Sequence, residues 1–173
     1  MGVAWLVASI ASIPSWSAIH FGTGAMVLGV AATAVPLAAV ALLLHAPLES
    51  VRRLIRDADS LVRPVFAGCT TTHFAAIAVA AGVGEEILFR GVIQPLLVEW
   101  TGLFLALIIS NVLFGMAHLV TRTYALIAAT VGLYLGLLFA LTDNLLVPIL
   151  VHSLYDFIAL VYWLRLRPPS AGT

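Results

Sequence analysis

The sequence predicts an all-α fold, a polytopic bundle of about six transmembrane helices with no extramembrane domain. Three observations lead there. Hydrophobic residues fill 62% of the 173 positions and charged residues only 9%, whereas a soluble domain carries roughly 25% charge to meet water. Mean hydropathy is +1.13. Apolar runs of the length that a bilayer asks for, about 20 residues, recur along most of the chain. The 8 bases and 8 acids cancel, which leaves no basic face for nucleic acid and no acidic face for a cationic partner. Every base is arginine, whose charge is permanent and whose planar head suits carboxylates. Cys69 stands alone, so neither an intrachain disulfide nor a CxxC site can form.

The spans follow in order. Val3 to Ile19, interrupted by Pro14, is the first; its start lacks the positive charge of a signal peptide, and a re-entrant helix is the alternative. Met26 to Leu44, with Pro36 inside it, is the second. These two spans occupy residues 1–45, and a polar, Arg-rich loop follows at 46–69. Residues 70–164 hold four more: Thr70 to Trp100, Gly102 to Leu119, Tyr124 to Leu141 and Leu145 to Leu164. Residues 165–173 form a short tail.

Arginine sets the expected orientation. Arg52, Arg53, Arg56 and Arg63 lie in the loop after span two, Arg122 follows span four, and Arg165 and Arg167 follow span six. Those are alternate loops, so both termini and the Arg-rich loop are predicted cytoplasmic, in a protein of the cell membrane. The opposite loops, near Glu99 and Asp143, contain no base.

Arg90 breaks this pattern, and it is not alone. Ionisable groups within hydrocarbon cost about 2.5–3.5 kcal/mol each on insertion scales and are usually functional. Span three holds Glu85, Glu86 and Arg90, span four ends in His118, and span six holds His152 and Asp156. Residues four apart share a helix face. Glu86 and Arg90 are therefore placed to pair, while Glu85 points elsewhere as a free carboxylate suited to general-base work. His152 and Asp156 share a face, as an oriented imidazole or two metal ligands would. Taken singly, each has a bland reading: a neutralised structural pair, a packing histidine, a proton relay. Together, on three helices, they are hard to justify as packing.

These residues also carry a resemblance. Glu85-Glu86-Ile87-Leu88-Phe89-Arg90, then Phe114 to His118, then His152 to Asp156 repeat the EExxxR, FxxxH and HxxxN/D pattern. In order and separation they resemble the CPBP family of intramembrane peptidases, the CAAX-type prenyl endopeptidases and bacteriocin-processing relatives. The resemblance implies an endopeptidase that cuts a peptide or protein substrate, prenylated or otherwise membrane-bound, near the cytoplasmic face. It implies that Glu85 and His118 activate water, that Glu86 and Arg90 brace the site, and that His152 and Asp156 bind the oxyanion or a metal.

Asp156 stands where CAAX-type relatives tend to carry Asn. An ionised carboxylate repels an oxyanion, so Asp156 must be protonated or hold a cation. Zinc or another divalent ion held by Glu86, His118, His152 and Asp156 is the expectation slightly favoured, the metal-independent glutamate mechanism being its rival. HExxH and Gly-x-Ser are absent, which argues against zincin and rhomboid-type chemistry. A small proton-coupled transporter, or a catalytically silent immunity or scaffold protein, remains the functional alternative. Asn111, on the face of His118, either orients that ring or bonds a neighbouring helix. Gly132 and Gly136 form a GxxxG that reads as close helix packing. The groups meet at one depth if the membrane part of span three starts later, near Thr72 to Ala76, or if Gly82 and Gly84 kink it.

Overall fold

Within residues 17–168, the part of the chain that the computed structural model describes, the fold is helical throughout. The predicted first span lies outside the described residues up to Trp16, and its end, Ser17 to Ile19, is not helical. Helices α1 (Thr23–Ala32) and α2 (Ala34–Leu44) together make the 22-residue apolar stretch expected as span two. Pro36 divides them. With no N–H it cannot bond the Ala32 carbonyl four residues back, and the Tyr134 hydroxyl donates to that carbonyl at 2.9 Å instead.

The expected Arg-rich loop is corrected to a helix, α3 (Glu49–Phe66). Charge density disguised an amphipathic period: Val51, Leu54, Ile55, Ala58 and Val62 turn inward, while Arg52, Arg53, Arg56, Asp57 and Ser60 are exposed. The Arg56 and Arg53 guanidiniums hold the Glu49 carboxyl below the usual carboxylate range. Farther along, buried Asp59 accepts from Arg63 Nε at 2.9 Å and Arg167 Nη1 at 3.1 Å. Arg63 also donates to the carbonyls of Trp163 and Arg167, which ties α3 to the end of the last helix.

Helix α4 (Thr71–Leu88) starts from a capping box formed by Thr70 and His73. It is α-helical through Gly82 and Gly84, and a π-helical turn follows at Phe89–Ile93. Helix α5 (Gln94–Ala117) continues from that turn, and Gly102, at φ 75° and ψ 165°, breaks it sharply. The whole apolar run is 47 residues, roughly 70 Å of helix, about twice the thickness of a bilayer core. Gly102 lets it double back: the Phe89 and Phe114 rings, on either side of the turn, lie 4.9 Å apart. Replacing Gly102 with Ala forces a side chain into a conformation essentially reserved for glycine. Thermal unfolding in detergent is expected to show a loss of about 1–3 kcal/mol.

Helices α6 (Arg122–Thr142) and α7 (Leu146–Val161) complete the bundle, and a second π-helical turn, Tyr162–Leu166, extends α7. Among the described residues, four helical stretches are long and apolar enough to cross a membrane, one of them doubled at Gly102. The pairing is antiparallel. On α4 and α7, Phe74 lies under Arg165 while Glu86 meets His152. On the second half of α5 and α6, Gly115 faces Ala125 and Asn111 faces Gly132. The α6–α7 corner is tied to the chain before α1 by Asn144, which bonds both the N–H and the C=O of His20.

The burial profile is inverted relative to a soluble protein. Val27, Leu42, Val79, Phe104, Leu126 and Leu141 are exposed, whereas Glu86, Arg90, Gln94 and Asn111 are almost fully buried. Lipid, being apolar, accepts the first set without cost, and backbone-satisfied helices are free to place the second inside. The protein is an integral membrane protein with a polar interior.

Candidate active site

The geometry begins with small residues. A Cβ on Gly82 would collide with the Ser153 hydroxyl and backbone nitrogen. Without it, α4 and α7 approach closely enough for Glu86, one turn on, to reach His152. On the other side of α4, the carbonyls of Gly132 and Gly136 face Arg90 and Gln94, and a Cβ on either glycine would meet those side chains. The GxxxG is close packing with a purpose: it opens two helix carbonyls to buried donors.

Arg90 is 1% exposed and Glu86 0%, so their charges have no water to lean on. Arg90 Nη1 donates to Glu86 Oε1 at 2.9 Å, and Nη2 donates to Asn111 Oδ1 at 3.2 Å and to the Gly132 carbonyl. Gln94 Nε2 donates to the Gly136 carbonyl at 3.1 Å. Asn111 therefore serves helix bonding, holding Arg90 rather than His118. The π-helical turn carries Arg90 itself; such single-turn insertions frequently mark functional sites.

The same Glu86 oxygen accepts from His152 Nδ1 at 2.8 Å. That bond orients the imidazole and sends its Nε2 into the site, 3.4 Å from Asp156 Oδ2 and 4.0 Å from Glu85 Oε2. His118 is arranged in parallel fashion. Its Nδ1 lies 2.8 Å from the Phe114 carbonyl, which can only accept, so Nδ1 carries the proton. Its Nε2 then faces Glu85 Oε2 at 3.5 Å. Phe114 stacks on the His118 ring at 4.5 Å and sits edge-on to His152, fixing both planes.

All six residues singled out in the sequence, Glu85, Glu86, Arg90, His118, His152 and Asp156, thus come together. They form two layers. Glu86 and Arg90 are sealed below; Glu85, His118, His152 and Asp156 line a cavity of about 70 Å³ with Phe114, Tyr124, Tyr155 and the α6 wall of Ile127, Ala128, Val131 and Leu135. Such a volume holds about two waters. Glu85 Oε2 is buried with no hydrogen-bond partner, an acceptor aimed into that space.

Residues 68–158 match the Type II CAAX prenyl endopeptidase Rce1-like family, more than half of the chain. The chain belongs to that family. The match spans α4 to most of α7, and so contains every residue of both layers. Among curated proteins, the Bacillus subtilis (strain 168) protein named "Putative membrane peptidase YdiL" is 34% identical over 81 residues. That segment is 47% of this chain and 33% of the relative, so the chain spans about a third of the relative's length. No solved structure matches.

The sequence offers four residues as ligands to a divalent metal: Glu86, His118, His152 and Asp156. Of the four expected ligands, Glu86 does not face the cavity: its Oε1 is spent on Arg90 and His152. Among the described residues, no three His, Cys, Asp or Glu side chains are grouped to hold an ion. The tyrosines of the cavity carry no sequence signal: Tyr124 sits at a span end, where an aromatic is ordinary, and Tyr155 merely precedes Asp156.

Proposed function

We propose that the chain is an intramembrane endopeptidase of CAAX type in which Glu85 and His118 activate the attacking water. The supporting observation is the convergence of two acceptors, Glu85 Oε2 and His118 Nε2, 3.5 Å apart beside a cavity of water size. Two acceptors cannot satisfy each other. A water can satisfy both, giving one hydrogen to each and keeping a lone pair for a carbonyl carbon. As that lone pair attacks, Glu85 takes the proton and later returns it to the leaving amine. Glu86 and Arg90 act through His152, whose tautomer and tilt they hold, in the manner of a carboxylate behind a catalytic imidazole.

The substrate is a peptide held at the membrane, with its cleaved bond toward the end of the bundle that carries α3, Arg122 and Arg167. By the distribution of arginine that end is the cytoplasmic one. The test uses purified protein in detergent and internally quenched peptides with and without a farnesyl-cysteine. Wild type is expected to turn over one of them, and Glu85→Ala and His118→Ala to lose that turnover. Equal rates in all three proteins would refute the reading. A chelator, with metal content measured in parallel, is expected to leave the rate unchanged; loss that zinc restores would return the site to metal chemistry.

A further inference from the structure

Helix α3 contributes nothing to the inner site, yet the membrane fixes where it lies. Residues 45–48 join it to α2, and residues 67–70 join it to α4. Both neighbours belong to stretches long and apolar enough to cross the bilayer. An 18-residue helix, about 27 Å long, is thereby held along one membrane face, at the level of the headgroups. Exposed Leu48 and Val65, at its two ends, suit the acyl boundary, and its charged side suits the polar layer above. That side carries surplus positive charge. Arg52, Arg53 and Arg56 all reach one carboxylate, Glu49, at 3.8, 3.4 and 2.9 Å. Asp57 cancels a second charge, and exposed Arg122 adds one from the start of α6. Four bases against two acids leave an excess of two, and the guanidiniums stay open to solvent, Arg53 at 71%.

Between α3 and the α5–α6 corner lies a second cavity, of about 370 Å³, within the roughly 300–1,000 Å³ of small-molecule sites. Arg53, Ser50, Thr121 and Thr123 bring a guanidinium and three hydroxyls to it, while Glu49 and Asp57 bring acceptors. Thr121 Oγ1 already accepts from the Tyr124 N–H at 3.1 Å, so its own proton is what it has to offer. Guanidinium and hydroxyl donors match the oxygens of a phosphodiester. The carboxylates repel that group but accept from hydroxyls beside it. We infer that this cavity binds the headgroup of an anionic phospholipid that carries hydroxyls, its phosphate toward Arg53 and the Thr121 and Thr123 hydroxyls, its polyol toward Asp57. A lipid is the occupant because α3 lies where headgroups are already concentrated, whereas a soluble phosphate has to compete from bulk water.

This assignment is independent of the peptidase reading, and its test needs no turnover. Purified protein in detergent is titrated with phosphatidylglycerol, phosphatidylethanolamine and phosphatidylcholine of one chain length, and native mass spectrometry reads the first bound lipid. Phosphatidylglycerol is expected to bind about fivefold tighter than phosphatidylcholine, the order that one basic residue near an anionic surface supplies. Arg53→Gln combined with Arg56→Gln should bring the ratio below about twofold. Glu49→Gln, which frees the guanidiniums, should raise it above wild type. These side chains are exposed, so the melting temperature should hold in every variant. Equal binding of the three lipids by wild type overturns the assignment, as does a preference that survives the double substitution. A preference for phosphatidylethanolamine overturns it by making the carboxylates the recognising groups. Displacement of the lipid by glycerol phosphate overturns it in favour of a soluble phosphate. A wild type without lipid selectivity, together with a raised KM for the quenched peptide in the double variant, gives the cavity to the substrate chain instead.

Discussion

Glu85→Gln is expected to lower peptide turnover by roughly a hundred- to ten-thousandfold, the range that loss of a positioned general base commands. The substitution preserves volume and the ability to hydrogen-bond, so the cavity and the fold should survive. What disappears is basicity: an amide cannot take a proton from water and return it to a leaving amine. The side chain is 32% exposed, so thermal unfolding should change little. The check is single-turnover kinetics beside a melting curve. Retained chemistry in Glu85→Gln would shift the base to His118. A collapse of the fold would show that Glu85 is structural instead. His118→Gln should be comparably slow, because its Nε2 is the second acceptor for the same water, and the double variant should be barely slower than either. Such non-additivity is the signature of groups acting as a unit.

Arg90→Met should be the most damaging change to stability. Methionine resembles arginine's stem in bulk but leaves Glu86, 0% exposed, without its counter-charge. Breaking one side of a buried pair costs about 3–5 kcal/mol, because an uncompensated charge stays behind. Asn111 Oδ1 and the Gly132 carbonyl lose their donor as well. Expression in membranes should fall and the melting temperature with it. Pairing the change with Glu86→Gln should recover much of the stability, since no ion is then left stranded, yet the rate should stay low because the bond orienting His152 is weakened. Equal destabilisation by the single and double variants would show that shape, not charge, holds this layer.

Much of this site was legible in the residues themselves because hydrocarbon is an unforgiving solvent. An acid or an imidazole within an apolar run is costly, so those present stand out, and a spacing of four places Glu86 against Arg90 without reference to the rest of the fold. The same economy marked the apolar stretches, four of which are long enough to cross a membrane among the described residues, while Arg63 and Arg167 meet at the Asp59 carboxylate.

The remainder depended on helices meeting one another. Nothing in the order of residues says that Gly82 admits Ser153, and yet that approach is what lets Glu86 turn His152. A count of charges concealed the inward period of α3. Asn111 shares a face with His118 but bonds Arg90, since the doubling of the chain at Gly102 carries it back over the π-helical turn. Glu86, offered by the spacing as a brace or a ligand, turns its Oε1 to both Arg90 and His152. Composition and spacing govern what a segment must do with lipid, a local question of solvation; which buried donor finds which acceptor is a matter of distance across the bundle, and only packing sets that.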